Sequence, residues 1–444
     1  MKKVLVIGAG VAGISAAIRL SENGFAVTLV ESRSFVGGRT YSIFDKATGE
    51  TIDNGQHIFA GAYNHFFYIL EKLGTIHSLE KQRHLKVKFY DKSSDSYTLD
   101  TSLLPGRLGT LAALMKIDKF NISSKIRIAC FFIKISFNLI DADGLTALEL
   151  LKEEKQSDDT IRYFWEPLIL ATCNGPIKEI SANLFITVLK QAFFSKKERA
   201  SLVFSKVPLQ ALLSPIDDYL KRKNGELLLK KTVKSIIFEG NKASGVQFQD
   251  SSVIQADYIV SALPSDSCFS IMPENVKKFC PLASRLRYSP ITSVYLWYDI
   301  DFLAESFAGF IGSPVQWIFN QRKISDCDPS QKENFPGHYA LTISASNDFL
   351  DKSNEEVLKI CTGEINTYLP ASYKANLLRS KVIKAEKATL LINPEIDSIR
   401  PGQRTPIQNL FIAGDWTDTK LPATIESAAK SGFLVSNLMI NQDS

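Results

Sequence analysis

The sequence predicts an α/β protein whose parallel sheet is assembled from distant parts of the chain, with an α+β insertion between them. Three observations lead there. Val4 to Glu31 reads as strand, glycine-rich turn, small-residue helix and second strand in one βαβ unit. Asn409 to Gly432 reads as another short apolar strand, a loop and a small-residue helix. Between them lie a helix-like stretch from Leu103 to about Phe194 and two strand-like runs, Ile291–Asp299 and His338–Ser346.

In the first unit, the apolar run Val4-Leu5-Val6-Ile7 suits a strand covered on both faces. Gly8-Ala9-Gly10-Val11-Ala12-Gly13 follows at once, then a helix is expected from Ile14 to Asn23, with Gly24 placed to stop it. Gly8 permits the tight turn. Gly10 removes the side chain that would keep a pyrophosphate from the helix N-terminus, and Gly13 lets the helix pack closely on the sheet. The unpaired N–H groups of the first turn, on Val11 and Ala12, favour phosphate. Ala26–Val30 is the second strand. It ends in Glu31, whose carboxylate can accept hydrogen bonds from an adenosine ribose and disfavours a 2′-phosphate. The bland alternative is a glycine-rich turn with no ligand, but the strand, helix and acid all stand where a dinucleotide site needs them.

Gly37-Gly38-Arg39-Thr40 lies in a loop shortly after the acid. Two glycines allow close backbone approach to a ligand, and Arg39 offers a fork of donors to a phosphate. Taken alone, the run reads equally well as a surface turn with a solvated arginine. The C-terminal signal separates the two. Asn409 to Asp415 (NLFIAGD) reads as a short apolar strand followed by Gly414 and Asp415, Trp416–Pro422 forms a loop, and Ala423-Thr424-Ile425 opens a helix expected to end at Gly432. A second helix N-terminus facing the ligand would stabilise negative charge on a reduced flavin, and Asp415 would bond the ribityl or pyrophosphate region. Asp415 as a plain cap is the simpler alternative. Both chain ends together point to FAD.

Glu31 followed by GGRT, with AGDW…PATIESAAKSG near the C-terminus, resembles the FAD-dependent amine oxidase and phytoene desaturase superfamily. That resemblance implies a Rossmann-like FAD-binding domain made of residues 1–84, 206–265 and 400–444. It also implies a substrate domain made of 85–205 and 266–399. In the substrate part, Leu85–Tyr90 and Ser96–Asp100 read as a hairpin. The resemblance extends the cofactor contacts to Ser32 and Arg33 beside Glu31. It also extends them to the backbone of Val233 in Lys231–Ile236, with Ala256–Pro264 as the following strand and turn.

Composition is that of a globular protein: 444 residues, 45% hydrophobic and 22% charged, with a net charge of +5. No basic arm interleaved with aromatics is present, so no nucleic-acid partner is expected. Cys130, Cys173, Cys268, Cys280, Cys327 and Cys361 are far apart and read as thiols of a reducing compartment. The five histidines show no metal-ligand spacing, so no metal is expected. The chain enters its first strand almost at Met1, which reads as the absence of a signal peptide, and no apolar run reaches the ~18 residues of a membrane span. A cytoplasmic protein is expected. Ile126–Ile140, preceded by Lys116, Lys119 and Lys125, is the one stretch that suits peripheral membrane contact; a helix of the substrate domain is the equal alternative.

Ile52 to Ala62 reads IDNGQHIFAGA. Asp53-Asn54-Gly55-Gln56-His57 is a polar run between apolar neighbours, and on its own it would be a turn satisfying local backbone groups. In the superfamily the matching segment runs along the flavin ring, which implies that Asn54, Gly55, Gln56 and His57 face the cofactor. The wording DNGQH resembles, more narrowly, the hydroxysqualene dehydroxylases. Tyr163–Pro176 (YFWEPLILATCNGP), Ser289-Pro290-Ile291-Thr292 and Leu421-Pro422-Ala423-Thr424 fit the same family, although Gly175 stands where a threonine is expected. The resemblance implies reductive removal of an allylic hydroxyl from a C30 isoprenoid alcohol, giving squalene. Hydroxide leaves as water, an allylic cation develops, and reduced flavin delivers hydride from N5. His57 is then the candidate proton donor and Gln56 its orienting partner, and the apolar insertions would line a substrate tunnel. The electron donor, NAD(P)H or a separate reductase, leaves no fingerprint. A carotenoid desaturase would carry proline after Gly55, an amine oxidase would need an aromatic pair at the flavin, and a non-enzymatic prenyl-lipid carrier would not need intact cofactor motifs.

Overall fold

The computed structural model describes every residue except 93–94, 105, 194–200, 274–275, 277–284, 327 and 444. Its first layer is a five-stranded parallel sheet in the order Glu226–Leu228, Ala26–Val30, Lys3–Ile7, Tyr258–Ser261, Leu410–Ile412. Val4 lies opposite both Val27 and Tyr258. Val4 to Ile7 are buried without alternation, because helix Val11–Glu22 covers one face and the antiparallel strands Val233–Glu239 and Lys242–Phe248 cover the other. The strands come from four separated segments of the chain, so neither half of the sequence can complete this sheet alone.

Helix Val11–Glu22 packs on one face of the sheet. It starts at Val11 rather than Ile14, because the second half of the glycine turn already forms its first turn: Ile14 N–H donates to Gly10 O at 2.9 Å. It ends at Asn23, with Gly24 at φ +83°. The C-terminal helix runs Ile425–Asp443. Ala423 and Thr424 precede it instead of opening it, and the Thr424 hydroxyl caps its first turn by accepting from Ser427 N at 3.3 Å. Nor does it stop at Gly432. A Cβ there would fall 2.5 Å from Ala12 O and 2.6 Å from Ser15 Cβ, so this glycine serves a close crossing of two helices. Ser15 Oγ seals the crossing by donating to Ala429 O at 2.7 Å.

The second layer is a seven-stranded sheet in the order Leu377–Leu390, Tyr288–Tyr298, Gly337–Ser344, Trp317–Asn320, Phe307–Phe310, Lys86–Tyr90, Ser96–Asp100. The expected hairpin forms with Lys86 opposite Asp100. Both expected long strands are present, Tyr288–Tyr298 paired antiparallel to Gly337–Ser344.

The expected helical stretch contains Gly106–Met115, Ile122–Ser136, Ala147–Glu153, Glu166–Cys173 and Ala182–Phe193; Phe194 lies outside the described residues. A π-helical turn, Ile161–Trp165, leads into the segment that begins Glu166-Pro167. Trp165 is fully buried, and the rings of Phe131, Phe164 and Phe185 surround it at 4.5–5.8 Å. These aromatics pack against one another in the core of the insertion. Asn174 tethers this insertion to the large sheet. Its side chain donates to Ser289 O (3.1 Å) and Thr389 Oγ1 (2.8 Å) and accepts from Ala345 N (2.9 Å). A Cβ on the neighbouring Gly175 would meet Ile180 Cδ1 at 2.5 Å, which accounts for glycine where threonine is expected.

Cys130, Cys173, Cys268 and Cys361 form no disulfide, while Cys280 and Cys327 lie outside the described residues. Among the described residues no helix is long and apolar enough to cross a membrane.

Candidate flavin site

The glycine turn is built as its sequence demands. Gly8 has φ +100°, and a Cβ on Gly13 would lie 1.9 Å from Gly8 O. The Gly37–Gly38 turn packs on it face to face: Gly37 N–H donates to Ala9 O at 2.8 Å, and a Cβ on Gly38 would meet Gly10 Cα at 3.1 Å. Thr40 closes that turn, its Oγ1 donating to Gly37 O at 2.6 Å. Gly10 differs from the other glycines. Nothing but Gly38 Cα, at 3.9 Å, approaches its missing Cβ, so its outer side is open to a ligand. The helix it caps, Val11–Glu22, has no side-chain cap and no acid in its first turn. This is a cradle for an anion rather than a filled helix end.

Glu31 reaches back over the turn. Its Oε2 accepts from Ala9 N at 3.0 Å, and its Oε1 accepts from Arg33 N (2.9 Å) and Ser32 Oγ (3.1 Å). The segment leading to Val233 runs alongside, with Lys231 N–H donating to Glu31 O (2.9 Å) and Lys230 N–H to Arg33 O (3.0 Å). Val233 itself begins the next strand, opposite Phe248. Arg33 stays solvent-exposed and donates to Gly38 O at 3.2 Å.

Arg39 joins the two chain ends. Its Nη2 donates to Asp415 Oδ1 at 2.6 Å and its Nη1 to Ala388 O at 2.9 Å. Asp415 is buried and Arg39 half-exposed, and the carboxylate's charge raises the guanidinium pKa further. Gly414, at φ +152°, leaves the room that the Trp416 indole takes: a Cβ would be 2.5 Å from its Nε1. Trp416 Nε1 donates to Leu263 O at 3.1 Å.

Sequence reasoning missed two residues here. Arg400 is buried and clamps the loop, donating to Leu421 O (2.8 Å), Asp415 O (2.9 Å) and Thr417 O. Glu426 accepts from the backbone N–H groups of Asn64, His65 and Phe66 at 2.9–3.0 Å, capping helix His65–Leu73 from the far end of the chain. The acid in PATIESAAKSG was its only signal, and nothing in the sequence names its target.

The DNGQH run threads between the two layers. Asn54 N–H donates to Tyr41 O at 3.0 Å, and Asp53 O accepts from Tyr295 OH at 3.0 Å. Asp53 Oδ1 accepts from Ser42 Oγ (2.6 Å) and Leu209 N (2.9 Å), yet burial outweighs these bonds and pushes its pKa up to about 6. Gly55 faces Ser293, whose hydroxyl would lie 3.0 Å from an added Cβ. That Ser293 hydroxyl is buried with no protein partner among the described residues. An orphaned hydroxyl beside a bare backbone, together with the open Gly10 cradle, fits a bound flavin.

His57 Nδ1 lies 2.7 Å from Gly55 O and so carries the proton, leaving the Nε2 lone pair free for a ligand. Burial, aided by the charge of Arg39, lowers its pKa below the ordinary histidine value. Gln56 Oε1 accepts from Gln321 Nε2 at 2.8 Å.

Gln56 and His57 border a polar cavity of about 320 Å³. Its far wall is a cluster that the sequence did not reveal. Arg322 grips Glu50 with two bonds of 2.6 and 3.1 Å, Trp297 Nε1 donates to Glu50 at 3.2 Å, and His338 Nδ1 stands 3.0 Å from the same carboxylate. Burial opposes the charge on Glu50, but His338 and Arg322 overcome it and hold the carboxyl at about 2.

The model of the family described as flavin containing amine oxidoreductase matches residues 11–440. The chain belongs to that family. It is an FAD-dependent oxidoreductase. Among its relatives is the hydroxysqualene dehydroxylase of Zymomonas mobilis, 26% identical over 441 residues, covering 98% of each chain. The 15-cis-phytoene desaturase of Synechococcus elongatus is 24% identical, covering 99% of this chain and 96% of that one. Among solved structures, an oxidoreductase from Methanosarcina mazei superposes with a TM-score of 0.76 at 15% identity, covering 98% of this chain and 99% of that one. A putrescine oxidase does so with 0.72 at 14%, covering 99% of each. These two likenesses establish the fold.

Proposed function

We propose that this flavin oxidoreductase removes the allylic hydroxyl of hydroxysqualene reductively, giving squalene. One observation carries the reading. The DNGQH run holds a half-buried histidine, its pKa lowered, and an anchored glutamine at the rim of a polar cavity, in a chain whose full-length relatives include three named hydroxysqualene dehydroxylase, which supports the reading. When bound in its reduced form, FAD supplies the hydride. Gly8, Gly10, Val11, Ala12 and Gly13 would hold the pyrophosphate, Glu31 the ribose, and Arg39 with Asp415 the far phosphate and ribityl.

The chain's own task is to make hydroxide leave. His57 takes up a proton at Nε2 with the substrate and passes it to the departing oxygen. Gln56, fixed by Gln321, orients the hydroxyl. The released water drains into the polar cavity. Electrons reach the site from NAD(P)H or a partner reductase.

The carotenoid desaturases among the relatives make desaturation of a polyene the second reading. Gln56 at the position after Gly55 and the polar cavity beside it both disfavour that reading. An amine oxidase is disfavoured because Trp416, which would have to serve in an aromatic pair, is buried with its N–H tied to Leu263 and its ring against Phe269.

The test gives purified, FAD-loaded protein hydroxysqualene, phytoene and an amine in separate reactions, with products read by mass spectrometry. Squalene formed only under reducing conditions is expected. Desaturated phytoene, or peroxide formed from the amine and oxygen, would overturn the proposal.

A further inference from the structure

Helix Ile122–Ser136 is apolar on two opposite faces. Ser124, Ile128, Phe131, Phe132 and Ile135 are buried against the protein. On the other side Ile122, Ile126, Cys130 and Ile133, continued by Phe137, form a second stripe, about 80° wide at helical spacing, that faces solvent. Ile122 is 78% exposed and Phe137 71%. Leu139 extends the stripe beyond the helix, and Leu103, Leu104 and Leu108 are exposed at the start of the adjoining helix Gly106–Met115. Among the described residues, eight of the fifteen large exposed apolar side chains fall within residues 103–139. Concentration on this scale marks an interaction site, since scattered singletons are the norm.

Charge identifies the occupant. Residues 103–140 hold six lysines and arginines against one acid, Asp118, an excess of five. The whole chain's excess is also five, so the remainder is balanced. Lys119 and Lys134 are paired with Asp95 and Glu154, which lie outside the segment. Lys116 and Lys125 have no ion pair among the described residues. Arg127 spends one bond on Lys155 O and keeps its charge. Lys125 flanks the stripe on one side and Arg127 and Lys134 on the other, as helical spacing requires. A second copy docked through this face would oppose like charges, whereas an anionic lipid surface would meet both the apolar ridge and its basic flanks.

We infer that this face is a monotopic docking surface for an anionic bilayer. Helix Ile122–Ser136 lies in the interface plane, with Ile122, Ile126, Ile133 and Phe137 below the headgroups and Lys125, Arg127 and Lys134 at their level. The inference goes beyond the dehydroxylase reading. Vesicle binding needs no turnover, so either can fail alone.

Flotation of the FAD-loaded, full-length protein tests it, with equimolar phosphatidylglycerol and phosphatidylcholine vesicles against phosphatidylcholine alone. The wild type is expected to float with the anionic vesicles. The double variant Ile126→Glu, Phe137→Glu should lose at least about tenfold in partition while its circular dichroism and flavin absorbance stay unchanged. Lys116→Gln with Lys125→Gln should lose about fivefold per lysine on anionic vesicles only. Three results would each overturn the proposal: a wild type that does not float, a ridge variant that floats as well as wild type, or a wild-type dimer that the ridge variant converts to a monomer in light scattering.

Discussion

Replacing Asp53 by asparagine should stabilise the protein at neutral pH, and by an amount set by the pH. Asp53 sits in the DNGQH run with its Oδ1 bonded to Ser42 and Leu209, and burial raises its pKa from 3.8 to about 6. A carboxyl with a folded-state pKa above its unfolded one favours folding only while protonated. Its contribution is full below about 3.8 and is lost as the pH climbs through 6. The whole shift corresponds to about 3 kcal/mol, an upper bound because Asp53 keeps some surface on the polar cavity, where water screens it.

Asparagine mimics the protonated acid: it is neutral and keeps the Oδ1 acceptor. The advantage of Asp53→Asn over wild type should therefore be about 1 kcal/mol near pH ~4.5 and up to about 3 kcal/mol near pH ~7.5. Urea unfolding of the FAD-loaded proteins, followed by circular dichroism at both pH values, measures the difference. A stability difference that does not change with pH would refute the reasoning, whatever its sign. An acid that costs stability at neutral pH is the kind of group that sites handling protons retain.

Other perturbations separate the parts of the site. His57→Ala should keep its flavin spectrum and lose about 100-fold or more in turnover; full turnover with bound FAD would remove His57 from the chemistry. Because an acid must be protonated to act and burial lowers the His57 pKa, kcat in wild type should fall as pH rises through a midpoint below 6.5. Asp415→Asn leaves Arg39 without its charged partner and should weaken FAD binding about tenfold in a fluorescence titration. Gly432→Ala puts a methyl 2.5 Å from Ala12 O and should cost about 1–3 kcal/mol in urea unfolding.

Most of the cofactor cradle was legible because it is local. The turn at Gly8–Gly13, the acid at Glu31 and the glycine pair at 37–38 follow from conformations that only certain residues adopt, and a few residues of sequence carry the whole signal. Helix ends were read less well. Gly432 looks like a stop in sequence, but its missing side chain serves a helix more than 400 residues away in the chain. The Arg400 clamp, the Glu426 cap and the Glu50–Arg322–His338 cluster were invisible for the same reason. Each is a side chain whose partner lies in another segment, and no spacing rule links the two. Exposure is equally hidden: Ile126–Ile140 reads as apolar either way, and only the fold says which half of that helix meets solvent.

The polar cavity bears on the choice between the two lipid reactions. A desaturase handles hydrocarbon on both sides of its reaction and gains nothing from a wet space at the reacting carbon; water there would compete for an allylic cation. A dehydroxylase must bind one hydroxyl, protonate it and dispose of one water per turnover, so it needs a polar exit that stops short of the hydrocarbon. In this chain Gln56 and His57 form the rim of the cavity, and the ion pair of Glu50 with Arg322 forms its floor. Held at about 2, Glu50 stays charged through the physiological range, and with Arg322 it keeps that end of the cavity polar. Glu50→Leu combined with Arg322→Leu tests this directly: it removes both charges of the pair at once, and His338, whose pKa burial already lowers, stays neutral beside them. If the cavity drains the product water, the double variant should bind FAD as wild type does and lose turnover with hydroxysqualene. Unchanged turnover would return the cavity to a structural role and remove one of the two arguments against the desaturase.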